Sequence, residues 1–587
     1  MTKKVISMEV PPGIQRDGTV LDAPCFVDGR WVRFQRGRPR KIGGYDAIFL
    51  NASGISRGMA MTSVNGFNYV VSGYSGGLEQ WITGTSGGLG SGPYTYTLSD
   101  FTASANNLWQ FDIAYDSTGN NTNNLVAHPG QNLSFITSTV ETPVLYGEFP
   151  GNYLSLTMAK VGQFTAAGAI NGTTTFTLAA NNVRVAAGQS ISGTGIPVGT
   201  TVTLVVGTAV TMSAAATTTA SITATFDNNI AVSGGCVVIH PYLFVYGNNG
   251  LIRNSSAGDF ANWVSPDANA TNVATGKIVK GLPIRGGSTS PSGLFWAVDA
   301  LIRVSFQPSS SGGVNYYWVY DLVSSQTSIM SSSSVIEYDG IFYWAGVDRF
   351  LSYNGVVQEI PNNSNQNYFF DNVNMTQRQK VWATKVPRYG EIWWFYPKGD
   401  ATECTDAIIY NVRDKTWYDA GQAIGARRSA GVFSEVFPKP VWAGNEANTE
   451  GEYTLWQHET GVDSIYLTNV NAVQSYFETY NIGTLGGLVG SVQQPGDNLW
   501  TRLERIEPDF LQEGEMSVVV TGQGYADDTV VESDPYVFSP GTLKIDMREQ
   551  RREMRLRFES NTAGGTYQTG RVLLSLTTGD VRGTGNP

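Results

Sequence analysis

The residues best suited to chemistry lie near the start of the chain, where positive charge is concentrated. Six basic side chains fall between positions 30 and 41, with two aromatic ones among them: Arg30, Trp31, Arg33, Phe34, Arg36, Arg38, Arg40 and Lys41. The 587-residue chain has a net charge of −11, so this segment is a strong local asymmetry. Basic side chains of this kind contact phosphates or an acidic protein surface. The segment therefore predicts a partner-docking site.

A structural explanation of the same segment stands beside the functional one. As a strand, it would place Trp31, Arg33 and Gln35 on one face, with Val32 and Phe34 on the other. Positive charge on an edge strand discourages pairing with other chains. Two interpretations therefore remain open, a docking site or a solvated turn with an edge strand.

Other motifs lack the context that catalysis requires. Residues 54–58 fit the nucleophile pattern G-x-S-x-G, but a strand is predicted after them instead of a helix. The histidines and cysteines are few and scattered, at His128, His240, His458, Cys25, Cys236 and Cys404. Neither a zinc spacing nor a nucleotide-binding loop occurs in the sequence. We predict no catalytic residue, no cofactor, no bound metal and no enzymatic activity.

The strands that must position these residues form a repeat that is visible in the sequence. An apolar run, a tight turn and a second aromatic run recur about every 50 residues, a period typical of propeller blades. The repeat has anchors at Tyr69, Leu125, Phe244, Phe295, Phe342, Trp393 and Val441. The runs are apolar on both faces, as strands packed between neighbouring sheets must be. The repeat predicts an all-β protein, a β-propeller of six to eight blades.

Departures from the repeat divide the chain into regions. Residues 161–226 contain neither Trp nor Tyr and have one charged side chain, Arg184. Their β-branched runs alternate with Gly turns, which predicts an inserted small β-domain. We predict the following regions: a basic leader at 1–50, the first blades at 51–160, the insertion at 161–226, the remaining blades at 227–460, and a C-terminal β-rich region at 461–587. The last region would close the propeller or form a platform.

Composition limits the compartment and the function. Aromatic residues make up 12% of the chain and charged residues 15%, which indicates a large packed core. The acidic balance argues against a general nucleic-acid binder. Three distant cysteines indicate a reducing compartment. The sequence shows neither a signal peptide nor a membrane-spanning run, so we expect a protein that stays in a cytoplasm until it is assembled.

The leader carries a resemblance to a known family. Residues 27–44 resemble the N-terminal segment of the tail nozzle, or tail hub, proteins of short-tailed, podovirus-like bacteriophages. Residues 331–418 and 554–560 are similar to the same family. The resemblance covers most of the chain outside 161–226. Its patterns contain no catalytic motif, so they indicate a structural role.

The resemblance implies a virion protein of the phage tail built around a β-propeller. Six copies would form a homo-hexameric ring attached to the head-to-tail adaptor and the portal. The ring would be a nozzle through which double-stranded DNA is ejected without specific binding. Tail fibres or spikes would dock around it, and a needle or plug would seal it. The basic leader would attach to the adaptor, after assembly in the host cytoplasm.

Two other functions stay open. The main alternative is a phage-tail propeller that binds or depolymerises glycans, because exposed aromatic rings stack on sugars. The chain has 14 Trp and 28 Tyr, but most lie in the periodic apolar runs, which favours core packing. A glycosidase would also need two carboxylates flanking the scissile bond. The third function, a nucleic-acid-binding propeller, fits poorly with the acidic balance.

Overall fold

The structure is a computed structural model of the chain. It describes residues 4–20, 23–64, 67–84, 91–96, 108–116, 122–130, 132–135, 138–141, 145–148, 159–160, 162–229, 232–285, 291–311, 314–434, 437–482, 488–489, 492–493, 499–524 and 528–581. Helix is scarce in these residues: α1 (Gln366–Asn372) and 3-10 helices at Asn248–Gly250, Met375–Lys380 and Ile424–Ala426. Within the described ranges, none of these helices has the length and apolar character needed to cross a membrane.

The first half of the chain contains the leader strands, two blades and the insertion. The leader strands are β1 (Lys4–Ser7), β2 (Asp28–Arg30), β3 (Val32–Gln35), β4 (Arg38–Lys41) and β5 (Tyr45–Ala52). Blade 1 consists of β6 (Gly58–Val64), β7 (Phe67–Tyr74), β8 (Gly77–Gly84) and β9 (Ser91–Tyr96). The second blade region contains β10 (Gln110–Asp116), β11 (Thr122–His128), β12 (Asn132–Phe135), β13 (Ser138–Glu141), β14 (Leu145–Glu148) and β15 (Ala159–Lys160). The insertion contains β16 (Gln163–Asn171), β17 (Thr175–Leu178), β18 (Ser190–Ser192), β19 (Val202–Val206), β20 (Ala209–Met212) and β21 (Thr219–Asp227).

Five further blades follow. Blade 3 consists of β22 (Gly235–Ile239), β23 (Tyr242–Tyr246), β24 (Leu251–Asn254) and β25 (Ala270–Asn272), and blade 4 of β26 (Ile278–Ile284), β27 (Ser292–Ala297), β28 (Leu301–Ser311) and β29 (Val314–Ser324). Blade 5 consists of β30 (Val335–Tyr338), β31 (Ile341–Ala345), β32 (Phe350–Tyr353) and β33 (Val357–Glu359), and blade 6 of β34 (Trp382–Val386), β35 (Glu391–Tyr396), β36 (Asp406–Asn411) and β37 (Thr416–Asp419). Blade 7 contains β38 (Arg428–Val432), β39 (Val441–Ala447) and β40 (Tyr453–His458), extended by β41 (Asp463–Tyr466) and β42 (Asn469–Ala472).

The C-terminal strands complete the element order. They are β43 (Ser475–Glu478), β44 (Leu488–Val489), β45 (Val492–Gln493), β46 (Leu499–Glu507), β47 (Phe510–Glu513), β48 (Met516–Gln523), β49 (Val531–Glu532), β50 (Tyr536–Phe538), β51 (Ile545–Arg551), β52 (Glu553–Ser560), β53 (Thr566–Thr569) and β54 (Leu573–Val581).

Seven sheets of the described chain follow one another as the blades of a propeller. In each, the first three strands pair antiparallel in chain order, and the first strands of neighbouring blades lie side by side, as β10 does between β6 and β22. Apolar side chains fill the space between neighbouring blades. Between blades 4 and 5, for example, the rings of Trp296 and Trp344 are 5.8 Å apart. The prediction of an all-β propeller with six to eight blades, an inserted β-domain and a C-terminal β-rich region is confirmed, with seven blades.

The repeat in the sequence corresponds to the second strand of each blade. The seven anchors lie in β7, β11, β23, β27, β31, β35 and β39. The strands β23, β27 and β35 are buried along their whole length. Burial on both faces follows from their position, because a middle strand of a blade has a neighbouring blade on either side.

The circle of seven blades is closed by a strand from the start of the chain. The leader strand β5 pairs antiparallel with β40, from Tyr45 opposite His458 to Ala52 opposite Tyr453. It supplies the fourth strand of blade 7, and β41 adds to its other side in parallel. The strand therefore runs across the boundary that the sequence placed at residue 50.

Three further sheets combine the two ends of the chain. They join β1 to β54, β2 to β43 and β4 to β53. We call β1–β4, β43 and β46–β54 the platform. Its apolar side chains form one continuous cluster with those of blades 6 and 7, and the ring of Trp31 lies 5.8 Å from that of Trp393 in blade 6. The leader is thus part of the packed interior of the protein.

The insertion forms a six-stranded sheet in the order β18-β21-β16-β17-β20-β19. It has a core of its own around Phe164, Phe176 and Phe226. Its two ends lie together, because the backbone N–H of Asn228 donates to the carbonyl of Gly162 at 3.2 Å.

Candidate functional site

The structure divides the eight predicted docking residues into two groups. The strands β3 and β4 form a hairpin whose two turn residues, Arg36 and Gly37, have φ of +53° and +76°. Positive φ at both positions is typical of a type I′ turn, and the second suits glycine. One group is buried within the protein: Trp31, Arg33, Phe34 and Lys41. The other is exposed or half-buried: Arg30, Arg36, Arg38 and Arg40.

The buried group connects the platform to the propeller through an ion cluster. Arg33 is 1% exposed, with Nε 2.8 Å from Glu391 Oε1, and its Nη1 donates to Glu459 Oε2 at 2.9 Å. Trp393 Nε1 and the Tyr418 hydroxyl also donate to Glu391, at 2.9 and 2.7 Å. Burial raises the pKa of Glu391, and the charge of Arg33 opposes that shift. In the structure, Arg33 therefore forms ion pairs inside the protein, between the platform and the propeller.

Two residues of the exposed group, Arg36 and Arg38, line a groove on the outside of the platform, and Arg30 and Arg40 lie outside it. Arg36 and Arg38 lie beside Arg571, which precedes β54, in a groove of about 490 Å³. Arg571 Nη2 is 3.4 Å from Glu9 Oε1 at the rim. We call this surface the cationic groove. Sequence reasoning missed Arg571, because it comes from the opposite end of the chain and carries no local signal. Docking through Arg36 and Arg38 stays a prediction.

A second candidate site lies on the propeller axis. Side chains from six of the seven blades line a cavity of about 300 Å³ there, which we call the axial cavity. Its aromatic lining consists of Trp109, Phe111, Phe342 and Trp382. Its charged lining consists of Arg57, Lys280, Arg285, Glu337 and Lys385. Phe342 was noted in the sequence only as an anchor of the repeat, and none of these residues was predicted as part of a site, because each blade contributes only one or two of them.

One rim of the axial cavity is held by an ionic bridge between two non-adjacent blades. Arg57, just before β6, donates twice to Glu403 in the β35–β36 loop, at 2.7 and 2.8 Å. Lys380 Nζ donates to the same carboxylate at 2.8 Å. Burial raises the pKa of Glu403, but the hydrogen bonds and charges of Arg57 and Lys380 outweigh it, so the pKa falls below its ordinary value. The carboxylate is therefore charged and committed to the bridge.

The charges inside the axial cavity differ in how they are balanced. Lys385 Nζ donates to the carbonyl of Glu337 at 2.8 Å and is 3.4 Å from its Oε2. Burial lowers the pKa of Lys280, and the nearby Asp112 opposes that shift. The carboxylate of Asp112 accepts the backbone N–H of Val238 at 2.7 Å. Of the described residues that line the cavity, Glu337 is the one carboxylate.

The remaining sequence candidates are part of the packed structure. Ser56 of the G-x-S-x-G match is fully buried, and its hydroxyl accepts from Ser72 at 2.9 Å, with a strand following it as predicted. His458 accepts the Nε–H of Arg428 at 3.0 Å, and burial together with that charge lowers the pKa of His458. Burial raises the pKa of the three thiols, Cys25, Cys236 and Cys404. In the part of the chain that the structure describes, no three His, Cys, Asp or Glu residues converge to hold a metal.

The fold and the axial cavity define an all-β propeller with two added β-regions. Comparison with protein-family models gave no match, and no curated protein matches. Among solved structures, an exo-β-1,3-galactanase from Phanerochaete chrysosporium with galactose is similar over 91% of this chain and 100% of its own, at 10% identity and a TM-score of 0.25. A glycoside hydrolase is similar over 89% and 100%, at 9% identity and a TM-score of 0.20. A putative exported protein from Bacteroides fragilis is similar over 38% and 75%, at 11% identity and a TM-score of 0.22.

These similarities correct one prediction. The sequence predicted that the chain is not an enzyme, whereas two of the similar structures are named as glycoside-cleaving enzymes. The prediction is therefore wrong as it was made, and enzymatic activity is a question for experiment. At these TM-scores the likeness assigns neither an activity nor a substrate to this chain.

Proposed function

We propose that the chain is a structural protein of a bacteriophage tail, a nozzle subunit. In this proposal six copies form a ring on the head-to-tail adaptor below the portal, and double-stranded DNA leaves through its centre. Tail fibres or spikes dock around the ring, and a needle or plug closes it. The observation that carries the proposal is the cationic groove. It lies on the leader segment that resembles nozzle proteins, and it gives that segment an exposed face.

The charge distribution supports docking to an acidic partner. Arg36, Arg38 and Arg571 converge in one groove, while the chain as a whole has a net charge of −11. Opposite charges steer two proteins together and fix their register. The same negative balance suits a conduit, because a surface of like charge does not retain the phosphates of DNA.

The connection of the platform to the propeller supports a load-bearing role. The platform shares one apolar cluster with blades 6 and 7, and the Arg33 cluster is buried in that interface. A force applied at the cationic groove would therefore be passed to the propeller through packed side chains instead of a hinge.

Electron microscopy of the purified chain, alone and mixed with its adaptor ring, tests the proposal. We expect a six-fold ring with an axis wide enough for duplex DNA, which joins the adaptor. The triple variant Arg36→Glu, Arg38→Glu, Arg571→Glu should weaken binding to the adaptor at least tenfold, since three favourable contacts become repulsive.

The matched control reverses three basic residues elsewhere, the half-buried Arg349 and Arg427 and the exposed Lys544, with Arg349→Glu, Arg427→Glu and Lys544→Glu. This control should bind the adaptor as the unchanged chain does. A chain that stays a single propeller and never joins the adaptor would contradict the proposal.

A second candidate is a phage-tail propeller that binds or depolymerises a glycan. The specific observation in its favour is the axial cavity, in which aromatic rings and charged groups face the same space. Aromatic faces next to polar groups are the usual surroundings of a bound sugar. The names of the similar structures point to this candidate and not to the nozzle, although their TM-scores are too low to carry it.

Binding to a panel of polysaccharides, followed by an assay for released reducing ends, tests this candidate. Phe111 is half-buried and lines the axial cavity, so Phe111→Ala should weaken glycan binding about tenfold by removing a stacking surface. Tyr316→Ala, at a half-exposed ring on the outer strand of blade 4, is the control and should change nothing. Absence of binding to every glycan would reject the candidate.

A further inference from the structure

One polar group in the axial cavity is buried without a partner. Ser429, in the first strand of blade 7, is 4% exposed. Its hydroxyl makes no hydrogen bond within the described part of the chain, yet it lines the axial cavity. Its oxygen has almost no accessible surface, so a bound molecule reaches it only when the Ser429 side chain turns toward the cavity; that bond would recover the free energy that an unpaired buried hydroxyl costs.

Two positive charges on the other side of the cavity are also available. The charges of Arg57 and Lys385 are matched by Glu403 and Glu337. The strand β26 of blade 4 and the residue after it contribute Lys280 and Arg285. Neither forms an ion pair within 4 Å in the chain as described.

The carboxylate whose charge acts on Lys280, that of Asp112, is already in use. Asp112 accepts two backbone N–H groups, from Ile113 at 2.8 Å and from Val238 at 2.7 Å. Its charge attracts Lys280 but does not pair with it directly. An unpaired ammonium in a half-buried cavity favours a bound anion, since the low surrounding polarity strengthens that attraction.

The size and walls of the cavity define the rest of the ligand. A volume of about 300 Å³ is at the lower end of small-molecule sites and fits a monosaccharide-sized molecule. The half-buried ring of Phe111 gives an apolar surface for a flat or ring-shaped body.

We propose that the axial cavity binds a monosaccharide-sized molecule that carries an oxyanion, a carboxylate or a phosphate group. The anion lies on Lys280 and Arg285, and a hydroxyl of the same molecule bonds to Ser429 across the axis after the Ser429 side chain turns toward the cavity. The site is independent of the cationic groove and of ring formation; it is the cavity of the second candidate function, and the proposal specifies the class of ligand that this cavity takes.

Isothermal titration calorimetry of the full chain with four probes tests this proposal. The probes are glucuronate, glucose 6-phosphate, glucose and inorganic phosphate. We expect glucuronate or glucose 6-phosphate to bind at least tenfold more tightly than glucose. Tight binding of inorganic phosphate as well would show that a free anion is sufficient. Equal affinity for glucose and for both anionic sugars, or no binding of any anion, would overturn the proposal.

Variants separate the site from non-specific attraction. Lys280→Met should weaken binding of the anionic probe at least tenfold, and Ser429→Ala should weaken it severalfold. Lys415→Met, at an exposed turn of blade 6, is the matched control and should bind normally. Thermal unfolding of each variant shows that it is folded. A folded Lys280→Met variant with unchanged affinity would refute the assignment, whether or not the chain forms rings.

Discussion

The platform and the insertion are both β-regions added to the same propeller, but they are attached in opposite ways. The platform shares its apolar core with blades 6 and 7 and buries an ion cluster in the interface. The insertion encloses its own core, to which the propeller contributes one buried residue, Ala261. Among the described residues, the ion pair from Arg184 Nε to Asp259 Oδ2, at 2.8 Å, joins it to blade 3, and both side chains are partly exposed.

The difference shows that two added regions of similar secondary structure have different mechanical roles. A shared core makes the platform and the propeller one folding unit, because neither side can unfold without exposing the other. A separate core with a polar contact makes the insertion a unit that moves or unfolds by itself. A force from a partner docked on the platform would therefore be transmitted to the propeller, whereas a force from a partner docked on the insertion would not.

The largest effect expected is at the platform interface. Arg33→Ala would leave Glu391 and Glu459 buried without their cation, which costs about 3–5 kcal/mol of the free energy of unfolding. Chemical denaturation followed by tryptophan fluorescence measures this loss. The platform and the propeller should still unfold in one transition.

The matched control for that prediction is on the same hairpin. Arg36→Ala removes an exposed arginine from the turn and should change the free energy of unfolding by less than about 0.5 kcal/mol. Equal effects of Arg33→Ala and Arg36→Ala would contradict the shared interface. Two separate transitions in the unchanged protein would contradict it as well.

A smaller, pH-dependent effect is expected where the leader meets blade 6. Burial, followed by the charge of Asp419, raises the pKa of Asp406 from 3.8 to about 6, against the attraction of Lys398 at 3.6 Å. Asp419 in turn pairs with Arg16 of the leader at 2.8 Å, and Tyr368 and Tyr396 lie in the same cluster.

The sign of the pH effect follows from the raised pKa. Between about pH 4 and 6 the folded state holds a proton on Asp406 that the unfolded state has released. This group therefore lowers the free energy of unfolding as pH rises through that window, by on the order of 1–3 kcal/mol. Asp406→Asn should remove that decline in denaturation experiments at pH 4, 5, 6 and 7. A variant with the same pH profile as the unchanged chain would show that Asp406 does not titrate there.

The smallest effect is expected at the insertion. Arg184→Ala breaks a partly exposed ion pair, worth about 0–1 kcal/mol. A double-mutant cycle with Asp259→Asn gives the coupling between the two side chains. A coupling above about 3 kcal/mol would mean that the insertion is fixed as firmly as the platform, and the comparison would fail.

The propeller could be predicted from the sequence because its repeat of apolar strands is a local pattern. All seven anchors fall in second strands of blades, since the first three strands of each blade form one continuous segment and the buried middle strand must be apolar on both faces. The insertion was visible for the same reason, as an interruption of the period. The blade number itself was not fixed, because the step between anchors varies where loops and the insertion lengthen it.

The sites could be predicted less well from the sequence, because residues that pair across long distances leave no periodic pattern. The charge of the leader is plain in the sequence, but the burial of Arg33 depends on Glu391 and Glu459, hundreds of residues later. Arg571 joins Arg36 and Arg38 only through the folding of both chain ends into the platform. The axial cavity is assembled from six blades, so its lining is scattered along the chain.

The pairing of β5 with β40 also sets an order of events during synthesis. Ala52 emerges early, but its partner Tyr453 follows about 400 residues later. At roughly 5–20 residues per second, a ribosome needs about 20–80 s to make that stretch. Throughout this interval the propeller of the chain is not closed, and β5 has an unpaired edge that can pair with a neighbouring nascent chain. Ring closure is thus a late, long-range step, and crowding of nascent chains on one messenger would favour exchange of β5 between copies.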